Sequence, residues 1–334
     1  MKTAIYKESR RLVCATVLLS IIGLANLSCQ KEEAPEPQEI YIPPSVEEFN
    51  AIKDDALSKH TEKTAFNAED GLSFTSDDGA VLNIPGNCLL ENGSPVTGEV
   101  ELTFIDLYNK EDMMTTNKPT MGRMPNGDKK VLVSGGEFFI EVIKDGNLLD
   151  MGCTYQLIVP ANNTGGPDPE MTLWKGDIDE NGNLTWDEVD ENDNEELFTE
   201  GELYYVFGDE FGWTNIDRFY TDPRPKTTMQ VKVPEGFDFE NSAVYLSYDG
   251  EPNALAFLDT YDSETKIFSE HYGQIPIGLE AHIIFATAEG DDWRYAIQGV
   301  TISDNQIYTV SMEETQVDTY DSETKIFSEH YGQI

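Results

Sequence analysis

Residues 177–188 carry the densest metal-binding pattern in the chain. Asp177, Asp179 and Asn181 put oxygen side chains at the first, third and fifth places of a calcium loop. Gly182 supplies the sharp turn, Asn183 a backbone carbonyl and Glu188 a two-oxygen carboxylate, so the set could wrap a hard cation such as Ca2+. The flanking runs MTLWKG and LTWDEV read as strands, whereas a helix–loop–helix calcium site needs helices on both sides. A hairpin with its tip at residues 180–183 is therefore the competing expectation. The acidic run from Asp187 to Glu196 would add weak cation affinity in either arrangement, or is a solvated loop.

No enzyme pattern accompanies it. His60, His271, His282 and His330 stand at no zinc-ligand spacing, and neither a GxSxG elbow nor a GxxxxGK[S/T] phosphate loop is present. Gly135-Gly136-Glu137-Phe138 is similar to a diguanylate-cyclase signature, but it lacks the second acid and lies in a strand-like run, so a structural role is expected. Acid pairs of the glycosidase kind need not be adjacent in sequence, which keeps a glycan-acting hydrolase as the enzymatic alternative. Trp174, Trp186, Trp213 and Trp293 could stack on sugar rings, although core packing is the expected use. Asp217-Arg218, beside Trp213, is expected to form a structural ion pair at a domain junction.

Cys29 directs the reading of location. It follows Lys2, Lys7, Arg10 and Arg11 and the uncharged run LVCATVLLSIIGLANLS, the layout of an export signal, too short for a bilayer span. The start Cys29-Gln-Lys-Glu-Glu resembles the lipoprotein leaders of Bacteroidetes, with Asn26 where Leu is usual. The resemblance implies cleavage after Ser28, lipid attachment at Cys29, with palmitate among the acyl chains expected there, and display on the outer face of the outer membrane. Buried acyl methylenes at ~0.8 kcal/mol each would then hold the protein on the membrane without a transmembrane helix.

Charge narrows the partners. The full chain carries a net −41; removing residues 1–28, with four basic residues and one acid, leaves 18 bases against 62 acids, a net −44. A field of that sign repels phosphate backbones and anionic lipid heads, so nucleic acid is excluded as a partner and the membrane enters only through the anchor. Cys14 leaves with the signal and Cys29 is lipidated, which leaves Cys88 and Cys153 in an oxidising compartment, either as one bridge or as two buried thiols.

Five segments follow. Residues 1–28 are the signal; 29–66 hold the lipidated cysteine, the Pro/Glu-rich tether QKEEAPEPQEIYIPP and a short helix, with Ser45 and Glu48 at capping-box spacing and Val46, Phe49 and Ile52 on one face. Residues 67–222 and 223–317 are strand-rich: VELTFIDLY alternates Val100, Leu102 and Phe104 with Glu101, Thr103 and Ile105, and Asp145-Gly146 marks a hairpin. The expected class is all-β, two antiparallel β-sandwiches, the second Ig-like. Ile84-Pro85, Cys88, Gly136 with Phe138, Val159-Pro160 and Trp186 follow the order of the ZU-five domain, a β-sandwich module that residues 67–220 resemble apart from an insertion at 106–130 and the segment FGWTNIDRFY. That resemblance implies binding or scaffolding and carries no active site.

Residues 318–334 repeat 259–275 letter for letter, with unmatched flanks. Abrupt edges point to recent DNA copying or a misread gene rather than to a solenoid repeat; the alternative is a spare strand able to swap into the slot of the first copy. The function expected from the sequence is non-enzymatic binding, adhesion or scaffolding at the outer membrane, with a surface glycan or an envelope protein as partner. A glycan hydrolase and a calcium-dependent carbohydrate-binding module are the alternatives.

Overall fold

The computed structural model describes residues 41–179, 182–190 and 194–318. The leader with Cys29, most of the tether, Asn181, His330 and the second copy beyond Asp318 lie outside them. The chain is all-β in its described part, mostly antiparallel strands with little helix. Among the described residues no helix is long and apolar enough to cross a membrane.

Local signals set the helix α1, Val46–Lys59. The Ser45 hydroxyl accepts from the Glu48 N–H at 3.2 Å and the Glu48 carboxylate accepts from the Ser45 N–H at 2.7 Å, the reciprocal cap that the spacing predicts. Phe49, Ile52 and Ala56 are its buried face, and Phe49 meets Trp293 edge-on at 6.2 Å. A second helix that the sequence pattern does not announce, α2, spans Lys110–Thr115 inside the 106–130 insertion, capped by the Asn109 side chain.

The central sheet runs in the order Thr61–Asn67, Glu99–Leu107, Lys129–Lys144, Gly212–Phe219, Thr172–Ile178, Leu184–Glu188, Met121–Arg123. Met121–Arg123 also pairs back onto the start of Lys129–Lys144, so five of these strands close a circuit. Both faces of the sheet are covered. Along Glu99–Leu107, Val100, Leu102 and Phe104 enter one core while Ile105 and Leu107 enter another. The first core is closed by the sheet Glu196–Glu200, Leu203–Gly208, Tyr155–Pro160, Val81–Pro85, Gly71–Thr75, the sandwich partner.

The second core takes in α1, α2 and the C-terminal half. That half has a four-stranded sheet, Thr260–Asp262, Ile267–Pro276, Lys226–Lys232, Ile307–Thr309, and a five-stranded one, Leu255–Phe257, Ser242–Tyr248, Glu280–Glu289, Asp292–Thr301, Gln316–Asp318. Ile307–Thr309 pairs in parallel with Lys226–Lys232, as does Met121–Arg123 with Leu184–Glu188. Residues on both sides of 222 share this core, from Phe49 to Val310, and the described residues from Ile42 onward form one compact unit.

The insertion makes the seam. Thr120 donates its N–H to the Leu255 carbonyl at 3.1 Å and its hydroxyl accepts from the Leu255 N–H at 2.9 Å. Lys129 pairs with Asp259 at 2.8 Å, the buried Lys110 ammonium donates to the Ser247 hydroxyl at 2.7 Å, and Tyr245 donates to the Asn117 side chain at 2.9 Å. These bonds are buried or half-buried and joined to apolar contacts, so they resist water as isolated surface pairs do not.

Candidate functional site

The calcium pattern folds as a hairpin. Thr172–Ile178 pairs with Leu184–Glu188, with Asp177 opposite Thr185 and Trp174 opposite Glu188. The Asp179 carboxylate accepts from the Asn183 N–H at 2.9 Å and from its side-chain amide at 3.1 Å, closing the turn. Asp177 meets Arg123 at 3.1 Å, beside Asp187 at 2.7 Å. An extended strand carries Glu188 up the ladder, away from the tip, where a helical loop would bend it back. No group of three or more acids, histidines or cysteines suited to a metal forms among the described residues; Asn181 lies outside them.

Other expected residues are also placed. Cys88 and Cys153 are bonded, closing a separation of 65 residues. Arg218 pairs with Asp168 at 2.6 Å rather than with its neighbour Asp217, because consecutive strand residues point to opposite faces. All four tryptophans are buried in the core, none forming an exposed stacking face. His60, His271 and His282 each face one carboxylate, Asp112, Asp259 and Asp249.

Gly135-Gly136 proves to be a bulge. Two residues of Lys129–Lys144 face one of Gly212–Phe219 where the register shifts between Asn215 and Asp217. Gly136 has φ +126°, and a side chain there would strike the Phe138 and Tyr108 rings. The bulge brings Ser134, Glu137, Asn215 and Asp217 together inside the sheet. The Ser134 hydroxyl donates to the Asn215 side-chain oxygen at 3.1 Å, and the Asn215 amide to Asp217 at 2.7 Å. Glu137 is 0 % exposed, and neither of its carboxylate oxygens has a hydrogen-bond partner.

Burial, and then the neighbouring Asp217 charge, push the Glu137 carboxyl well above the usual range, with the Lys118 ammonium pulling the other way. Burial likewise raises Asp217, and lowers Lys118, whose ammonium sits 5.3 Å from the Trp213 ring centre. This acid pair is sealed from any glycan-sized substrate.

The same strand opens at its other end. Glu137, Phe139 and Glu141 alternate on one face, and past Phe139 the sheet is notched. Gly212–Phe219 begins opposite Ile140, and the short return strand Asn147–Leu148 pairs only with Ile143 and Lys144. Glu141 and Val142 are left without a ladder partner on that side except for the Leu149 N–H, which reaches the Val142 carbonyl at 2.9 Å.

The notch is a cleft of about 630 Å³, within the size range of ligand pockets. Its floor is apolar, from Phe139, Val142, Leu149, Met151 and Phe211, and its rim carries Glu141, Asp150, Asp209 and Glu210. Leu148 stands 67 % exposed on one lip. The disulfide braces that lip: Gly152 donates to the Cys88 carbonyl at 2.7 Å, and Asp150 and Met151 pair with Leu90 and Leu89. The signal that could have located the cleft is the out-of-phase start of the two strands, which only pairing reveals.

A second cavity, about 450 Å³, lies at the seam, lined by Tyr108, Lys110, Asn163 and Asn253 among others. Beneath it Asp106 accepts from Ser76 at 2.7 Å and from Tyr108 at 3.1 Å, and burial holds its carboxyl up at about 6. Burial also brings Lys110 down to about 8. Compared with known families and curated proteins, the chain matches no family model and no protein at significant similarity.

Proposed function

We propose that the chain is a non-enzymatic binding protein of the cell envelope, anchored through lipid on Cys29, facing outward from the outer membrane and holding its partner in the cleft at the end of the central sheet. The observation that carries the reading is a contrast within the central sheet: the ionisable groups fit for acid–base work, Glu137 and Asp217, are sealed, while the open cleft offers an aromatic floor with a polar rim. The −41 charge and the ZU-five-like order of motifs support binding, to a surface glycan or an envelope protein.

Two measurements test it. Incorporation of labelled fatty acid that is lost in Cys29→Ala, together with removal of the protein by protease added to whole cells, tests the anchor and its orientation. Glycan arrays and immobilised envelope proteins test the binding, and the reading fails if every ligand found binds Phe211→Ala as well as it binds the parent. The enzymatic alternative, a glycan-acting hydrolase, would draw on the carboxylates that line the seam cavity, Glu111 and Glu251. Turnover abolished by Glu251→Gln would replace binding with that reading.

A further inference from the structure

We infer that the cleft takes an extended peptide segment in which basic side chains flank an apolar one; the inference rests on the binding reading above and names its ligand. Three features select that chemistry. The floor contributed by Phe139, Met151 and Phe211 accepts an apolar side chain, and Leu148 offers more apolar surface on the lip. The rim is of one sign, with four carboxylates and no lysine, arginine or histidine among the lining residues.

Those carboxylates are unequally occupied. Glu210 is paired with Lys175 at 2.8 Å, and Asp209 accepts from the Asn194 amide at 3.3 Å. Glu141 and Asp150 have no ion-pair partner among the described residues, and they stand on opposite sides of the notch, one on the long strand and one on the disulfide-braced lip. A cation on either side of an apolar anchor would meet both. The third feature is the backbone: on the side away from Glu99–Leu107 no strand pairs with Glu141–Val142, where only the Leu149 N–H reaches the Val142 carbonyl, and such an interrupted edge favours an extended chain over a sugar ring.

The molecule's overall charge acts in the same direction. A net −41 draws basic segments toward the cleft and repels anionic glycans, phosphorylated ligands and a second copy of this chain.

The test uses the detergent-solubilised full chain and a labelled Lys-Phe-Lys-Leu-Lys peptide followed by fluorescence anisotropy, with Glu-Phe-Glu-Leu-Glu and a neutral N-acetylglucosamine oligosaccharide as comparisons. The basic peptide is expected to bind, to weaken about tenfold between ~50 and ~500 mM salt because the rim is exposed, and to weaken about fivefold in Glu141→Gln/Asp150→Asn, which removes two rim charges. Glu99→Gln, which is not among the residues lining the cleft, should leave binding unchanged, and an unchanged melting temperature shows that the double variant is folded.

No binding of the basic peptide, or equal binding by the double variant, overturns the inference. Oligosaccharide binding that is lost in Phe211→Ala while the basic peptide fails overturns the ligand class and leaves the cleft in place. Self-association that is lost in Phe211→Ala makes a second copy the occupant and overturns the inference too. If nothing bound is sensitive to Phe211→Ala, the cleft reading falls with it.

Discussion

Glu137 and Glu141 sit four residues apart on the same face of one strand, yet they occupy opposite environments. Glu137 lies behind the Gly135-Gly136 bulge under Lys118 and Trp213, out of reach of water, and stays protonated well above the usual carboxylate range. Glu141 lies where the neighbouring strand has not yet begun, at the rim of an open cleft. The lesson is that a carboxylate's role in this sheet is set by what covers the strand at its level. Covered, it is a structural group with a latent charge; uncovered, it is open to a partner.

The largest effect that separates the two regions should be pH. Glu270, 0 % exposed in the second core, is raised by burial to about 8 from an ordinary 4.5, with the charges of Asp259 and Asp128 adding to the rise. A folded pKa above the unfolded one means that the folded state keeps its proton longer. Stability is then full below about pH 4.5 and falls as pH climbs to about 8, by about 5 kcal/mol for this group. Glu137 and Asp217 act in the same direction. The lowered amines Lys53 and Lys110, both about 8, act oppositely, but only between about 8 and 10.5. Denaturant unfolding from pH 5 to 8 should therefore show falling stability, and Glu270→Gln and Glu137→Gln should each flatten the slope. A slope in Glu137→Gln identical to the parent's would erase the distinction.

Next in size is the brace on the cleft. Opening the 65-residue loop with Cys88→Ala/Cys153→Ala should cost about 4 kcal/mol in the chain-entropy account. Hydrogen exchange should then rise first at Leu148–Met151, while Ser134–Phe138 stays protected. Phe211→Ala, half-buried and stacked on Tyr155 with ring centres 6.2 Å apart, should cost about 1–2 kcal/mol, below a full core truncation, while removing ligand binding. The smallest change concerns the hairpin. Asp177→Ala releases one of two exposed carboxylates on Arg123 and should cost under about 1 kcal/mol. Millimolar Ca2+ should leave the melting temperature of the parent in place; a shift that Asp177→Ala abolishes would restore the cation loop.

Much of the framework was legible residue by residue. The Ser45–Glu48 cap, the α1 face of Phe49 and Ile52, the alternating strands and the Asp145-Gly146 turn are interactions within a few residues, so their spacing carries them. What was not legible depends on partners far along the chain. Arg218 finds Asp168 fifty positions away, and Thr120 finds Leu255 across the seam. The calcium spacing meets the same limit: it counts residues along one segment, while the direction of Glu188 is decided by pairing with Trp174.

By itself the sequence determined the all-β class, the capped helix and the acidic composition, because each follows from local spacing or composition. Only the tertiary structure decided that both faces of the central sheet are covered, that the insertion at 106–130 joins the two halves, and that one end of a strand is sealed while the other opens into a cleft. Those outcomes turn on which strand begins opposite which residue. Such offsets arise when distant segments pack, and no window of neighbouring residues encodes them.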